Sequence, residues 1–67
     1  MAQDKGHGNL IKEQLKAKGH TQVWLAEQLG VSFSITNAYA CNRKQPNLKT
    51  IFKIADLLGV SPKELVF

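Results

Sequence analysis

Four times in this chain a glycine- or proline-marked break is followed at once by a side chain suited to open a helix. The breaks are Lys18-Gly19-His20, Leu29-Gly30-Val31, Arg43-Lys44-Gln45-Pro46 and Leu58-Gly59-Val60, and the residues after them are Thr21, Ser32, Asn47 and Ser61. A hydroxyl or amide side chain in that place accepts a hydrogen bond from the free N–H groups of a first turn. With a first helix near Asn9 to Lys18, the punctuation predicts five helices.

Apolar spacing fills in their inner faces. Ile11 and Leu15 stand four residues apart in the first helix while Lys12, Glu13 and Lys16 face water, and the second, Thr21 to Leu29, buries Leu25, Ala26 and Leu29. The third opens at Ser32, runs to about Cys41, and has Ile35, Ala38 and Tyr39 as its apolar positions. In the fourth, Leu48, Ile51, Phe52, Ala55 and Leu58 follow the i, i+3, i+4, i+7 rule and Ile54 widens the stripe. The last helix starts with a capping box, Ser61-Pro62-Lys63-Glu64, with Val60 and Leu65 placed as a hydrophobic staple. No alternating run and no internal repeat interrupts the pattern, so an all-α fold with no sheet is expected.

Size and charge narrow the function. Sixty-seven residues allow one small domain, 9–67, behind a flexible N-terminus, 1–8. The single cysteine, Cys41, excludes an intramolecular disulfide. No run approaches the roughly 18 apolar residues of a membrane span, and the first eight residues lack the apolar stretch of a secretory signal, so a cytoplasmic protein with reduced Cys41 and no membrane partner is expected. The net charge of +4 is a modest bias toward an anionic partner. Its distribution says more: residues 42–54 hold Arg43, Lys44, Lys49 and Lys53 with no acid, whereas residues 21–41 carry one charge, Glu27. Phosphate contacts are cationic and base edges are read by small polar and apolar groups, so a nearly uncharged reader beside basic clamps fits nucleic acid. Charge alone fits an ordinary solvated surface equally well.

Enzyme chemistry finds little support. No nucleophile stands in a pattern with a base, Ser32 and Ser61 read as caps, and Gly6-His7-Gly8-Asn9 lacks the spacing and terminal lysine of a phosphate loop. His7, His20 and Cys41 form no paired metal motif, so neither a metal nor another cofactor is expected. His20 reads as a surface turn residue.

The stretch Thr21-Gln22-Val23-Trp24-Leu25-Ala26-Glu27-Gln28-Leu29-Gly30-Val31-Ser32 is the most specific in the chain. Small Ala26 lets a following helix cross closely, and Gly30 can take the positive φ of a sharp turn, giving a helix, a tight turn and a second helix. From about Leu10 to Val66 the chain resembles the Cro and phage-repressor type, Xre-like, helix-turn-helix domains. The string from Thr21 to Ser32, Pro46 before a cap and the ending Ile51-Phe52-Lys53-Ile54-Ala55-Asp56-Leu57-Leu58-Gly59-Val60-Ser61-Pro62-Lys63-Glu64-Leu65 match in order and spacing.

The resemblance implies a compact five-helix domain that binds double-stranded operator DNA, usually as a homodimer, with its third helix in the major groove. Position by position, it makes Gln22 a phosphate contact and turns Ser32, Phe33, Ser34, Asn37 and Ala38 to the groove, with Thr36 and Tyr39 looking inward. Asn37 has the amide that pairs bidentately with adenine. Asn42 stands where the family often has glycine and would close the third helix in the left-handed conformation, leaving Arg43 and Lys44 to grip the backbone.

Two positions depart from the family. Thr36 replaces an aliphatic residue, so its hydroxyl has to bond a carbonyl one turn back. Phe33 replaces a polar residue and suits either a thymine methyl or a protein interface. Trp24 is open between packing on the first helix and shielding a phosphate. Phe52, Leu57, Val66 and Phe67 exceed the needs of one small core, and Phe52, Val66 and Phe67 are the expected dimer surface. Two functions then compete: a dimeric repressor or controller of a palindromic operator, and an antitoxin-type module that neutralises a protein partner and autoregulates its operon.

Overall fold

A computed structural model describes residues 8–66. Four α-helices follow in order: α1 Ile11–Ala17, α2 Gln22–Leu29, α3 Phe33–Ala40 and α4 Leu48–Leu58. Three of the expected caps form. Thr21 Oγ1 accepts from Trp24 N–H at 3.1 Å, Ser32 Oγ from Ile35 N–H at 3.1 Å and Asn47 Oδ1 from Thr50 N–H at 2.8 Å. Each satisfies a donor that the first turn leaves without a helical partner.

The fifth helix is shorter than expected. Pro62–Glu64 is a single 3-10 turn, in which the Glu64 carboxylate accepts from Ser61 N–H at 2.8 Å while Glu64 N–H goes to the Ser61 carbonyl at 2.9 Å. It stops because the next residues are claimed elsewhere. Leu65 is fully buried, its carbonyl accepts Leu10 N–H at 2.7 Å, and Val66 pairs with Asn9 in one isolated antiparallel bridge. The fold is all-α as expected, and that bridge ties its two ends together.

The core is built from Ile11 and Leu15 of α1, Leu25 of α2, Ala40 of α3, Ile51, Ile54, Ala55 and Leu58 of α4, and Leu65. Three positions, Leu48, Ile35 and Leu29, differ from the sequence expectation. Leu48 is 68% exposed, because as the first residue of α4 it lies one turn beyond the point where the helix meets the others. Ile35 is also exposed; the inner face of α3 is Thr36 and Ala40, four residues apart, with Tyr39 half-buried beside them. The Thr36 hydroxyl is fully buried and donates to the Ser32 carbonyl at 3.2 Å, the back-bond that a threonine in that place requires.

Leu29 is half-buried rather than buried, and like Trp24, Tyr39, Leu57 and Val60 it packs on the edge of the core. Among the described residues no helix is long and apolar enough to cross a membrane.

Candidate nucleic-acid interface

The turn between α2 and α3 is closed by backbone geometry. Gly30 has φ +70°, the left-handed region that a Cβ disfavours, and its N–H and that of Val31 both reach the Ala26 carbonyl, at 2.9 and 3.1 Å. Two residues later Ser32 caps α3. The separation between the helices is therefore set by one glycine and one hydroxyl, and the buried Ala26 leaves room between them.

With Thr36 and Ala40 facing the core, α3 turns Phe33, Ser34 and Asn37 outward. Phe33 is 51% exposed, Ser34 is exposed, and Asn37 and Ala38 are half-buried. Ser32 is exposed too, although its oxygen already serves the cap. Asn37 is not an isolated amide: its Oδ1 accepts the Cys41 thiol at 3.6 Å, which restricts the side chain one turn from the end of α3. A carbonyl oxygen has two lone pairs, so this leaves both the Nδ2 donors and one acceptor site for a ligand.

Beyond α3 the chain reverses at Asn42, with φ +61°. The N–H groups of Arg43 and Lys44 both return to the Ala38 carbonyl, at 2.9 and 3.2 Å, so the two cations are mounted on the last turn of α3. Both side chains are exposed. At the other end of the motif, Gln22 sits in the first turn of α2. Its Oε1 is buried and accepts nothing among the described residues, so what the amide has to offer an anion is its N–H pair.

Trp24 belongs with the core, and the His20 ring lies flat upon it, centroids 3.8 Å apart and planes 9° from parallel. Of the expected dimer residues, Phe52 is 53% exposed on the outside of α4, Val66 is exposed while its backbone bridges to Asn9, and Phe67 lies outside the described residues.

Sequence reasoning passed over a set of amides beside the loop. Asn9 is 1% exposed and bonds to Tyr39, Asn42 and Gln45, 30 to 36 residues away along the chain. A polar residue just before a helix reads as one with local bonds, and Asn9 has one, since its Oδ1 accepts from Ile11 N–H at 3.1 Å although Leu10 is the N-cap of α1. Nothing in the local pattern indicates the distant partners.

A helix, a glycine turn and a second helix with an uncharged outer face and a basic exit define the helix-turn-helix class. The helix-turn-helix family model matches residues 11–65. The chain belongs to the Xre/Cro-like helix-turn-helix family of DNA-binding regulators. It is 33% identical over 54 residues to the SPbeta prophage-derived uncharacterized HTH-type transcriptional regulator YonR of Bacillus subtilis (strain 168), a match covering 81% of this chain. The chain spans about half the length of that curated relative, 50%. A crystal structure of a candidate DNA-binding protein from Bacteroides fragilis superposes with a TM-score of 0.90 at 39% identity, covering 91% of this chain and 98% of the other.

Proposed function

We propose that the chain is a transcriptional regulator that binds a two-fold symmetric operator as a homodimer and represses or controls transcription there. The observation that carries this reading is the continuity of α3 with the basic loop: uncharged outward groups run directly into the exposed Arg43–Lys44 pair, which α3's own last turn holds. Base edges demand the first kind of group and phosphates the second. YonR, named as a transcriptional regulator, supports the same assignment.

In this reading Asn37 pairs with an adenine, Phe33 touches a thymine methyl, and Ser32, Ser34 and Ala38 line the groove. Gln22, Arg43 and Lys44 contact phosphates, and Asn42 contributes the shape of the turn, since its amide is bonded to Asn9. Phe52 and Val66, with Phe67, form the surface that meets a second copy.

A gel shift against the DNA upstream of the protein's own gene tests it, repeated across a salt series. A dimer touching about six to ten phosphates should show log K falling against log salt with a slope of roughly −5 to −9. Binding that ignores salt would remove the nucleic-acid reading.

The exposed Leu48 and Phe52, one helical turn apart on α4, also suit a different protein, as an antitoxin-type function requires. Sedimentation of the purified chain separates the two readings. A dimer, in solution or on operator DNA, favours the regulator, and a chain that stays monomeric on DNA leaves that surface to another partner.

A further inference from the structure

Asn9 makes more hydrogen bonds than the start of α1 needs, and all but one run to the last turn of α3 and the loop that carries the two cations. Its backbone N–H donates to Asn42 Oδ1 at 2.8 Å, and its Nδ2 donates to the Tyr39 carbonyl at 2.8 Å and to Gln45 Oε1 at 2.9 Å. Its carbonyl accepts from Asn42 Nδ2 at 3.3 Å, and Gln45 Nε2 closes the set by donating to Asn42 Oδ1 at 3.1 Å. Both Nδ2 hydrogens and Oδ1 of Asn9 are therefore occupied.

A buried amide must recover its desolvation cost through such bonds, and an apolar residue would fill the same space without that cost. What a satisfied polar network adds is direction: it holds its members in one arrangement, where apolar packing tolerates several. Here the member so held is the left-handed turn at Asn42, with Gln45 on its far side. Arg43 and Lys44 lie between these two braced residues, and their own N–H groups are fixed to Ala38.

We propose that Asn9 and Gln45 are positioning residues for DNA binding: they brace residues 42–45 from the N-terminal side, so that Arg43 and Lys44 are arranged for phosphate before DNA arrives. Ordering a loop at the moment of binding lowers affinity, and a loop ordered in advance avoids that loss. The proposal rests on the DNA-binding reading above and adds a function for a buried residue at the start of the chain.

Neither Asn9 nor Gln45 is charged, so neither releases a counterion on binding. A lower salt slope on removing them has to come from Arg43 or Lys44 losing its phosphate. Affinity for the upstream duplex is measured by fluorescence anisotropy between about 50 and 200 mM salt, the range over which phosphate neutralisation is read most clearly. The chains compared are wild type, Asn9→Ala, Gln45→Ala, the double variant Arg43→Ala with Lys44→Ala, and that double variant carrying Gln45→Ala as well.

Gln45 is exposed, so its truncation opens no cavity and keeps the test valid should Asn9→Ala fail to fold. Gln45→Ala should lower the slope by about 1 per subunit and weaken binding roughly tenfold for each phosphate no longer neutralised at about 0.1 M salt. In the chain already lacking Arg43 and Lys44 it should change nothing further. In the free protein, the order parameters of the Arg43 and Lys44 amides should fall from about 0.85 toward 0.6 in Gln45→Ala.

A folded Gln45→Ala with wild-type slope, affinity and order parameters would overturn the brace while leaving DNA binding intact. The brace is equally overturned if Arg43→Ala with Lys44→Ala keeps the wild-type slope. Absence of any salt-dependent binding by wild type would overturn the DNA-binding reading itself, and the brace with it.

Discussion

Thr36 is fully buried in a helix face that otherwise has no polar group pointing inward, and the chain meets the difficulty locally. The Ser32 carbonyl accepts both the Thr36 hydroxyl, at 3.2 Å, and the Thr36 N–H, at 3.1 Å. Removing the hydroxyl therefore leaves no orphaned acceptor. A net hydrogen bond of about 1 kcal/mol is exchanged for the burial of a methyl group worth about as much. Thr36→Val should accordingly unfold in urea within about 1 kcal/mol of wild type, and a loss of several kcal/mol would mean that the hydroxyl has a partner beyond Ser32. On the outward side of the same turn stands Asn37, steadied by Cys41 at 3.6 Å. If it reads a base, Asn37→Ala should cost about 1 to 3 kcal/mol at one base pair of each half-site and relax the preference there. Equal losses on operator and on random DNA would take it out of the reading set.

Among the elements, the join between α2 and α3 depends on backbone conformation more than on contacts. Gly30 stands at φ +70°, and a Cβ built there meets nothing within 4 Å. The whole penalty of Gly30→Ala is thus conformational, roughly 1 to 2 kcal/mol for an L-residue in the left-handed region. Thermal unfolding should show that loss; an unchanged midpoint would mean that the turn relaxes out of this geometry. Asn42 meets the same demand without being glycine, because asparagine tolerates the left-handed region and its amide is satisfied by Asn9 and Gln45. The two turns that frame α3 therefore share a backbone conformation and differ in what secures it.

At the scale of the whole molecule, the ends close on each other through Leu10 and Leu65 and through the Asn9–Val66 bridge, while α4 keeps Leu48 and Phe52 outside. A single recognition helix contacts few bases; two held roughly 34 Å apart by a two-fold axis read twice as many. Phe52 is more than half exposed, so placing a charge there should leave the subunit folded by circular dichroism. If this is the dimer surface, Phe52→Glu should sediment as a monomer and lose tight operator binding. A variant that binds as wild type does would move the contact to exposed apolar groups off α4, among them Val23, Phe33 and Ile35.

The local grammar of this chain was enough to place four helices, three of their caps and the left-handed turn at Gly30, while the left-handed turn at Asn42 and the back-bonded hydroxyl of Thr36 followed from the resemblance to the family. Each depends on residues within about one helical turn of one another, where spacing is geometry. The basic loop was legible in the charge distribution, whereas the outward row of α3 followed from the resemblance, since periodicity had turned Ile35 inward. Tertiary structure alone decided the rest. The fifth helix shrank to a 3-10 turn because the Leu65 carbonyl accepts from Leu10 N–H and Val66 lies opposite Asn9 in the bridge, more than fifty residues away. Leu48 fits the α4 stripe yet lies exposed, because periodicity assigns a face to a helix and does not say how far its neighbours extend. Asn9 shows the limit most clearly: its bond to Ile11 N–H is a local fact, but its bonds to Tyr39, Asn42 and Gln45 exist only once residue 9 has been brought beside the end of α3.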